Sequence, residues 1–102
     1  MISTWRTDER PLSLRHAADV LQALGHPIRL QILETLRRGP ATVGIIVEQL
    51  ALDQPVVSRH LAILRRAGVV TAAPDGRERI YRTTGDADAL LGVLFTRKRG
   101  SA

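Results

Sequence analysis

Residues 54 to 70 read QPVVSRHLAILRRAGVV. On a helix beginning at Gln54, Val57, Leu61 and Leu64 recur at i, i+4 and i+7 and build one apolar face. Pro55, Arg59, Ala62 and Arg66 fall near the opposite side, Ser58 flanks them, and Gln54 sits at the N-terminal tip. His60 flanks the buried side, so it is expected to be packed and hydrogen-bonded rather than to touch a base. Gly68 ends the helix. The outward face is short, cationic and rich in hydrogen-bonding groups. Such a helix fits the major groove of DNA, where Arg bonds guanine bidentately, Gln bonds adenine, and Ser bonds a base edge or phosphate. Taken alone, the same arginines also read as ordinary solvated charge. The flanking segments decide between the two.

Upstream, Leu14, Ala17, Ala18, Leu21 and Leu24 recur at three- and four-residue spacing, which predicts a helix over 14–24 capped by Ser13 and stopped by Gly25. Pro27 suits the first turn of a second, central helix carrying Ile28, Leu30, Ile32, Leu33 and Leu36, which Gly39 and Pro40 end. Arg29 on that helix can form an internal ion pair or reach a phosphate, and the structural role is preferred. Thr42 can cap a third helix bearing Val43, Ile46, Val47 and Leu50, and Asp53 a fourth, with Pro55 in its tolerant first turn. The link between them, 51–53, is very short. Beyond Gly68 the period changes to strand-like VVTAAP and RIYRTT, separated by the turn signal Asp75-Gly76. Residues 86–96 return to helical spacing with Ala87, Leu90, Leu91 and Leu94.

This order predicts an α+β, mainly α fold: a winged helix-turn-helix with a two-stranded hairpin wing. The domain is expected over 13–96, between an N-terminal tail at 1–12 and a basic tail at 97–102. The chain has 102 residues, enough for one domain with a modest core. Apolar residues make up 44% and charged residues 25%, with no run of apolar residues long enough for a membrane span. No secretory signal opens the chain and it has no cysteine, so a cytoplasmic location is expected. The net charge is +5, and +4 of it lies between Gln54 and Arg82, where Arg59, Arg65, Arg66, Arg77, Arg79 and Arg82 outweigh Asp75 and Glu78. A tight turn, a basic helix and a basic hairpin together point to one polyanion surface, with duplex DNA as the partner.

The run LGHPIRLQILETL, then VSRHLAILRRAGVV, then DGRERIYR resembles the arsenic repressor (ArsR/SmtB) family of bacterial winged-helix transcription regulators, over residues 14 to about 84. The resemblance implies a homodimer held by N- and C-terminal helices, a recognition helix at 54–67 and a wing at about 69–84. It implies repression of the protein's own operon, relieved by an inducer. It assigns DNA reading to Gln54, Pro55, Ser58 and Arg59, and wing contacts to Arg77 and Arg79; Arg66 joins them from the helical wheel. Pro55 departs from the small hydroxyl residue common in the family. Leu14, Leu21, Leu90, Leu91 and Leu94 offer the apolar surface such a dimer needs, and Trp5 either packs at that seam or belongs to a disordered tail.

Thiolate sensing of soft metals is excluded by the absence of cysteine. Relatives that bind zinc or cobalt along the last helix use Asp and His, and here Asp86 and Asp88 are followed by no histidine. No metal site and no cofactor is therefore expected. The alternative is a nickel or zinc site built from His16 and Asp19 and completed across the dimer by Asp86 or Asp88. Against it, Asp86 caps the last helix, Asp88 favours its positive end, and His16 is a surface residue. The sequence carries no nucleophile elbow, phosphate loop or paired-carboxylate spacing, so an enzyme is not expected. Besides a DNA-binding regulator, two readings stay open: a winged helix used to contact an operon-encoded partner, and a nickel- or zinc-responsive regulator with a non-thiol site.

Overall fold

A computed structural model describes residues 13–95; the two tails, Trp5 and residue 96 lie outside the described residues. The chain runs α1 (Leu14–Leu24), α2 (Pro27–Arg38), β1 (Ala41–Thr42), α3 (Val43–Leu50), α4 (Gln54–Arg66), β2 (Val70–Asp75), β3 (Glu78–Thr83) and α5 (Gly85–Phe95). The helices start where the polar caps lie. Ser13 accepts a hydrogen bond from the His16 N–H, and Thr42 from the Ile45 N–H. Pro27 occupies the first turn of α2, whose cap is His26.

Helix α2 is central. Ile32 and Leu33 are wholly buried, and they share one core with Ile46 of α3, Val57, Leu61 and Leu64 of α4, Val69, Val70, and Leu91 of α5. The expected apolar face of α4 therefore lies inward, each of its three residues contributing about 1.5–3 kcal/mol of burial. Between α3 and α4 the chain turns within three residues because Ala51 adopts a left-handed conformation (φ 55°) and its N–H closes on the Val47 carbonyl. At the other end of α4, Gly68 (φ +79°) reverses the chain into β2 while the Val69 N–H bonds the Leu64 carbonyl.

The sheet departs from the sequence reading in two ways. It has three strands, ordered β1-β3-β2, because Ala41 and Thr42 pair with Tyr81 and Ile80. Two residues carry no period-2 signal, so β1 exists only through its partner. The wing turn is also displaced by one residue. Asp75 pairs with Glu78, which leaves Gly76 and Arg77 as the turn, with Gly76 at φ +66°.

Three expectations about the helices need correction. Asp53 sits at the start of α4 but makes no side-chain capping bond. Asp86 does not cap α5; Thr84 does, its Oγ1 accepting from the Ala87 N–H at 3.4 Å. Leu91 belongs to the core rather than to an outer face. The large apolar side chains left exposed among the described residues are Leu14 (87% exposed) and Leu21 on α1, Leu90, Val93 (72%) and Leu94 on α5, and Ile45 on α3. Among the described residues no helix is long and apolar enough to cross a membrane.

Candidate nucleic-acid interface

Gln54, Pro55, Ser58, Arg59, Ala62 and Arg66 are all exposed on α4, the consequence of seating Val57, Leu61 and Leu64 inward. Strand β3 brings a second cationic group to the start of this helix. Arg79 and Tyr81 alternate onto one face of the strand, and with Arg77 from the wing tip they line a cleft shared with Gln54, Val43, Gly44 and Glu78. Arg82 is out of phase with them and projects from the other face. Strand parity thus separates Arg79, toward α4, from Arg82, away from it, while Arg77 reaches the cleft from the turn. Tyr81 and the α3 start at Val43 and Gly44 were missed from the sequence; the period of two counted from Arg79 was the available signal for Tyr81.

Arg66 is placed differently from the rest. Helix α4 rises about 18 Å from Gln54 to Arg66, and Arg66 lines a cleft with Asp19 and Gln22 of α1, Arg29, Ile63 and Ala67. It is a cation at the α1 end of the helix, far from the wing. Ion pairs among the described residues are Arg37–Asp88 and Arg38–Glu34. The exposed arginines of α4 and the wing are therefore not neutralised by either pair, and their charge is directed to solvent.

His60 is 8% exposed on the inner side of α4 and lies 3.3 Å, Nδ1 to Nη1, from Arg29. Burial pushes its imidazole below the ordinary histidine value, with His26, Arg29 and Arg59 adding in the same direction. Arg29 has the structural role expected but no ion pair among the described residues. Its Nε donates to the Ala23 carbonyl at 2.6 Å and its Nη2 to the Gln22 carbonyl at 3.4 Å, closing the end of α1.

The four candidate metal ligands are dispersed. His16 and Asp86 line one cleft with Val20, Gly68 and Thr84, while Asp19 lines the separate cleft beside Arg66. Asp88 accepts hydrogen bonds from Arg37 and Thr83. Among the described residues no three His, Cys, Asp or Glu side chains converge to hold a metal ion.

Comparison with known proteins agrees with the winged helix-turn-helix fold. The sequence pattern of the family described as "Bacterial regulatory protein, arsR family" matches residues 26–72, the segment from the start of α2 into β2. A biofilm growth-associated repressor from Xylella fastidiosa is 32% identical over 105 residues, covering 94% of this chain and 92% of that protein. The HTH-type transcriptional repressor SmtB of Mycobacterium tuberculosis is 46% identical over 66 residues, covering 65% of this chain and 49% of its own length. A homodimeric winged helix-turn-helix DNA-binding domain from Mycobacterium bovis superposes with a TM-score of 0.77 at 32% identity, over 79% of this chain and 76% of that one.

Proposed function

This chain belongs to the arsR family of bacterial regulatory proteins, transcriptional regulators rather than enzymes, and we propose that it works as a homodimeric repressor reading a two-half-site operator, its own promoter included. The observation that carries the reading is the cleft in which Gln54 of α4 faces Arg77 and Arg79 of the wing. A helix and a hairpin so arranged can straddle one DNA strand, the helix in the major groove and the wing against the backbone. Gln54, Ser58 and Arg59 are assigned to base edges, and Arg59 is the residue able to grip guanine bidentately. Pro55 offers apolar contact in place of a hydroxyl. Arg66, Arg77 and Arg79 are assigned to phosphates, which position the protein without reading sequence.

A second copy supplies the second helix. In a two-fold dimer, half-sites lie about 34 Å apart along the duplex, and the exposed leucines and valine of α1 and α5 are the apolar surface that pairing would cover. Repression then follows from occupancy of a promoter in the cytoplasm. Neither a metal nor a cofactor is required for that occupancy, and any inducer is recognised without thiol chemistry, whether a small molecule, an operon-encoded protein, or nickel or zinc held by nitrogen and oxygen.

Operator binding measured against salt tests the reading. Each phosphate contact contributes about −0.9 to the slope of log affinity against log salt, so a dimer with several contacts should lose affinity steeply while still preferring a selected duplex over random sequence. A shallow slope without such preference would remove the DNA reading and favour protein contact.

A further inference from the structure

The inner side of the reading helix carries a titratable group that base reading does not use. Arginine has hydrogen-bond donors and no acceptor, so the 3.3 Å contact from Arg29 Nη1 to His60 Nδ1 requires a lone pair on Nδ1. The imidazole is then neutral, with its proton on Nε2. Arg29 is held in turn by the Ala23 and Gln22 carbonyls at the end of α1. Three helices therefore meet at one guanidinium: α1 through its terminal carbonyls, α2 through Arg29 itself, and α4 through His60. The His26 ring stands 4.6 Å from that of His60, and its own Nδ1 accepts the Ile28 N–H at 3.1 Å, so it too serves as an acceptor.

We infer that His60 and Arg29 are positioning residues for operator reading: their hydrogen bond seats α4 while His60 is neutral, and protonating His60 unseats the helix and weakens operator binding. This rests on the operator reading given above. A proton on Nδ1 deletes the acceptor and turns an N–H toward a guanidinium. Among the described residues, the groups acting on that charge are His26 at the head of α2, Arg29 on α2 and Arg59 on α4 itself. None is a carboxylate; Asp19 of α1, an element packed on α4, lines the cleft beside Arg29 and Arg66 but is not among the groups acting on His60. A buried cation without a partner is costly, so the charged imidazole favours arrangements in which α4 has moved outward. Burial lowers the affinity of His60 for its proton in the seated form. Seating is thus unpenalised above the ordinary histidine value near 6.5 and is progressively lost as the pH falls below it, until the lowered native value is reached.

The sign separates this effect from simple electrostatics, because acid adds positive charge and would otherwise strengthen attraction to phosphate. A duplex selected by the wild-type protein at pH 7.5 serves as operator, with binding followed by fluorescence anisotropy from pH 7.5 to 5.5 at constant ionic strength. Wild type should lose up to about tenfold in affinity per protomer over this range. His60→Asn, which presents a non-titrating oxygen near the position of Nδ1, should bind within about threefold of wild type at pH 7.5 and lose little in acid. His16→Gln should keep the wild-type profile. Parallel profiles for wild type and His60→Asn, or an acid loss that coincides with global loss of the helical circular dichroism signal, would overturn the role of His60 alone. Failure to select any duplex at pH 7.5 would overturn the operator reading beneath it.

Discussion

Arg37 Nε donates to Asp88 Oδ1 at 3.2 Å, and Thr83 Oγ1 donates to the same oxygen at 3.3 Å. One carboxylate thereby ties the end of α2, the last residue of the wing strand and α5. The guanidinium also runs close to Gly92, where an added Cβ would lie 3.3 Å from Arg37 Nη2, so the small residue gives it room. Asp88 is half exposed and Arg37 only 26% exposed. Asp88→Ala should lower unfolding stability by about 0.5–1 kcal/mol in urea titration. Glu34→Ala, which breaks the open 3.9 Å contact with Arg38, should cost close to nothing. Equal losses would show that the Arg37 tie has no special weight.

Ala51 stands in the left-handed region at φ 55°, which disfavours any residue with a Cβ by about 1–2 kcal/mol. Glycine removes that strain but adds freedom to the unfolded chain, worth about 0.4–1 kcal/mol in the other direction. Ala51→Gly should therefore stabilise by about 0.5–1 kcal/mol on balance. A lower urea midpoint for the variant would mean that the turn is not held in this conformation.

Val93 is 72% exposed and Leu94 52% exposed on α5. Burial of such side chains against a second copy is worth about 1.5–3 kcal/mol each, twice over in a two-fold interface. Val93→Glu together with Leu94→Glu should shift the protein from dimer to monomer in sedimentation at micromolar concentration while the helical content persists. Wild type sedimenting as an 11.2 kDa species would sink the dimer.

Arg59 lies on the exposed face of α4 and Arg77 at the wing turn. Arg59→Ala should weaken the selected operator by about 1–3 kcal/mol per half-site and random duplex far less. Arg77→Ala should weaken both alike and make the salt slope shallower by about one unit per lost contact. The same pattern from both variants would show that the division between reading and positioning is wrong.

The dispersion of His16, Asp19, Asp86 and Asp88 bears on metals. Asp19 opens onto a different cleft from His16 and Asp86, and Asp88 is engaged by Arg37. Chelator-treated protein should bind its operator as well as untreated protein does. Calorimetric titration with nickel or zinc should show no tight stoichiometric uptake, and His16→Ala should change nothing. Tight uptake abolished by His16→Ala would establish instead the shared site on the first and last helices.

The starts of α1 to α4 and the inward face of α4 were legible in the sequence alone, because a helix writes its buried side into a repeat of three and four residues and its ends into Ser13, Thr42 and Gly68, whereas the start of α5 at Gly85, capped by Thr84, was not. The outward position of Gln54, Ser58 and Arg59 follows from the same repeat. What the tertiary structure decided lies between segments. The strand β1 is two residues made into a strand by Tyr81 and Ile80. Pairing of Asp75 with Glu78 set which wing arginines face α4, since a shift of one residue exchanges the two faces of a strand. Leu91 went inward and Leu90, Val93 and Leu94 stayed outward because α5 packs on α2 along one narrow line, and in a helix apolar almost all round no repeat marks that line. The tie from Arg37 to Asp88 spans 51 positions, and that from Arg29 to His60 spans 31. Local spacing carries no information about partners so distant; packing of the central helix against its neighbours is what brings them within reach.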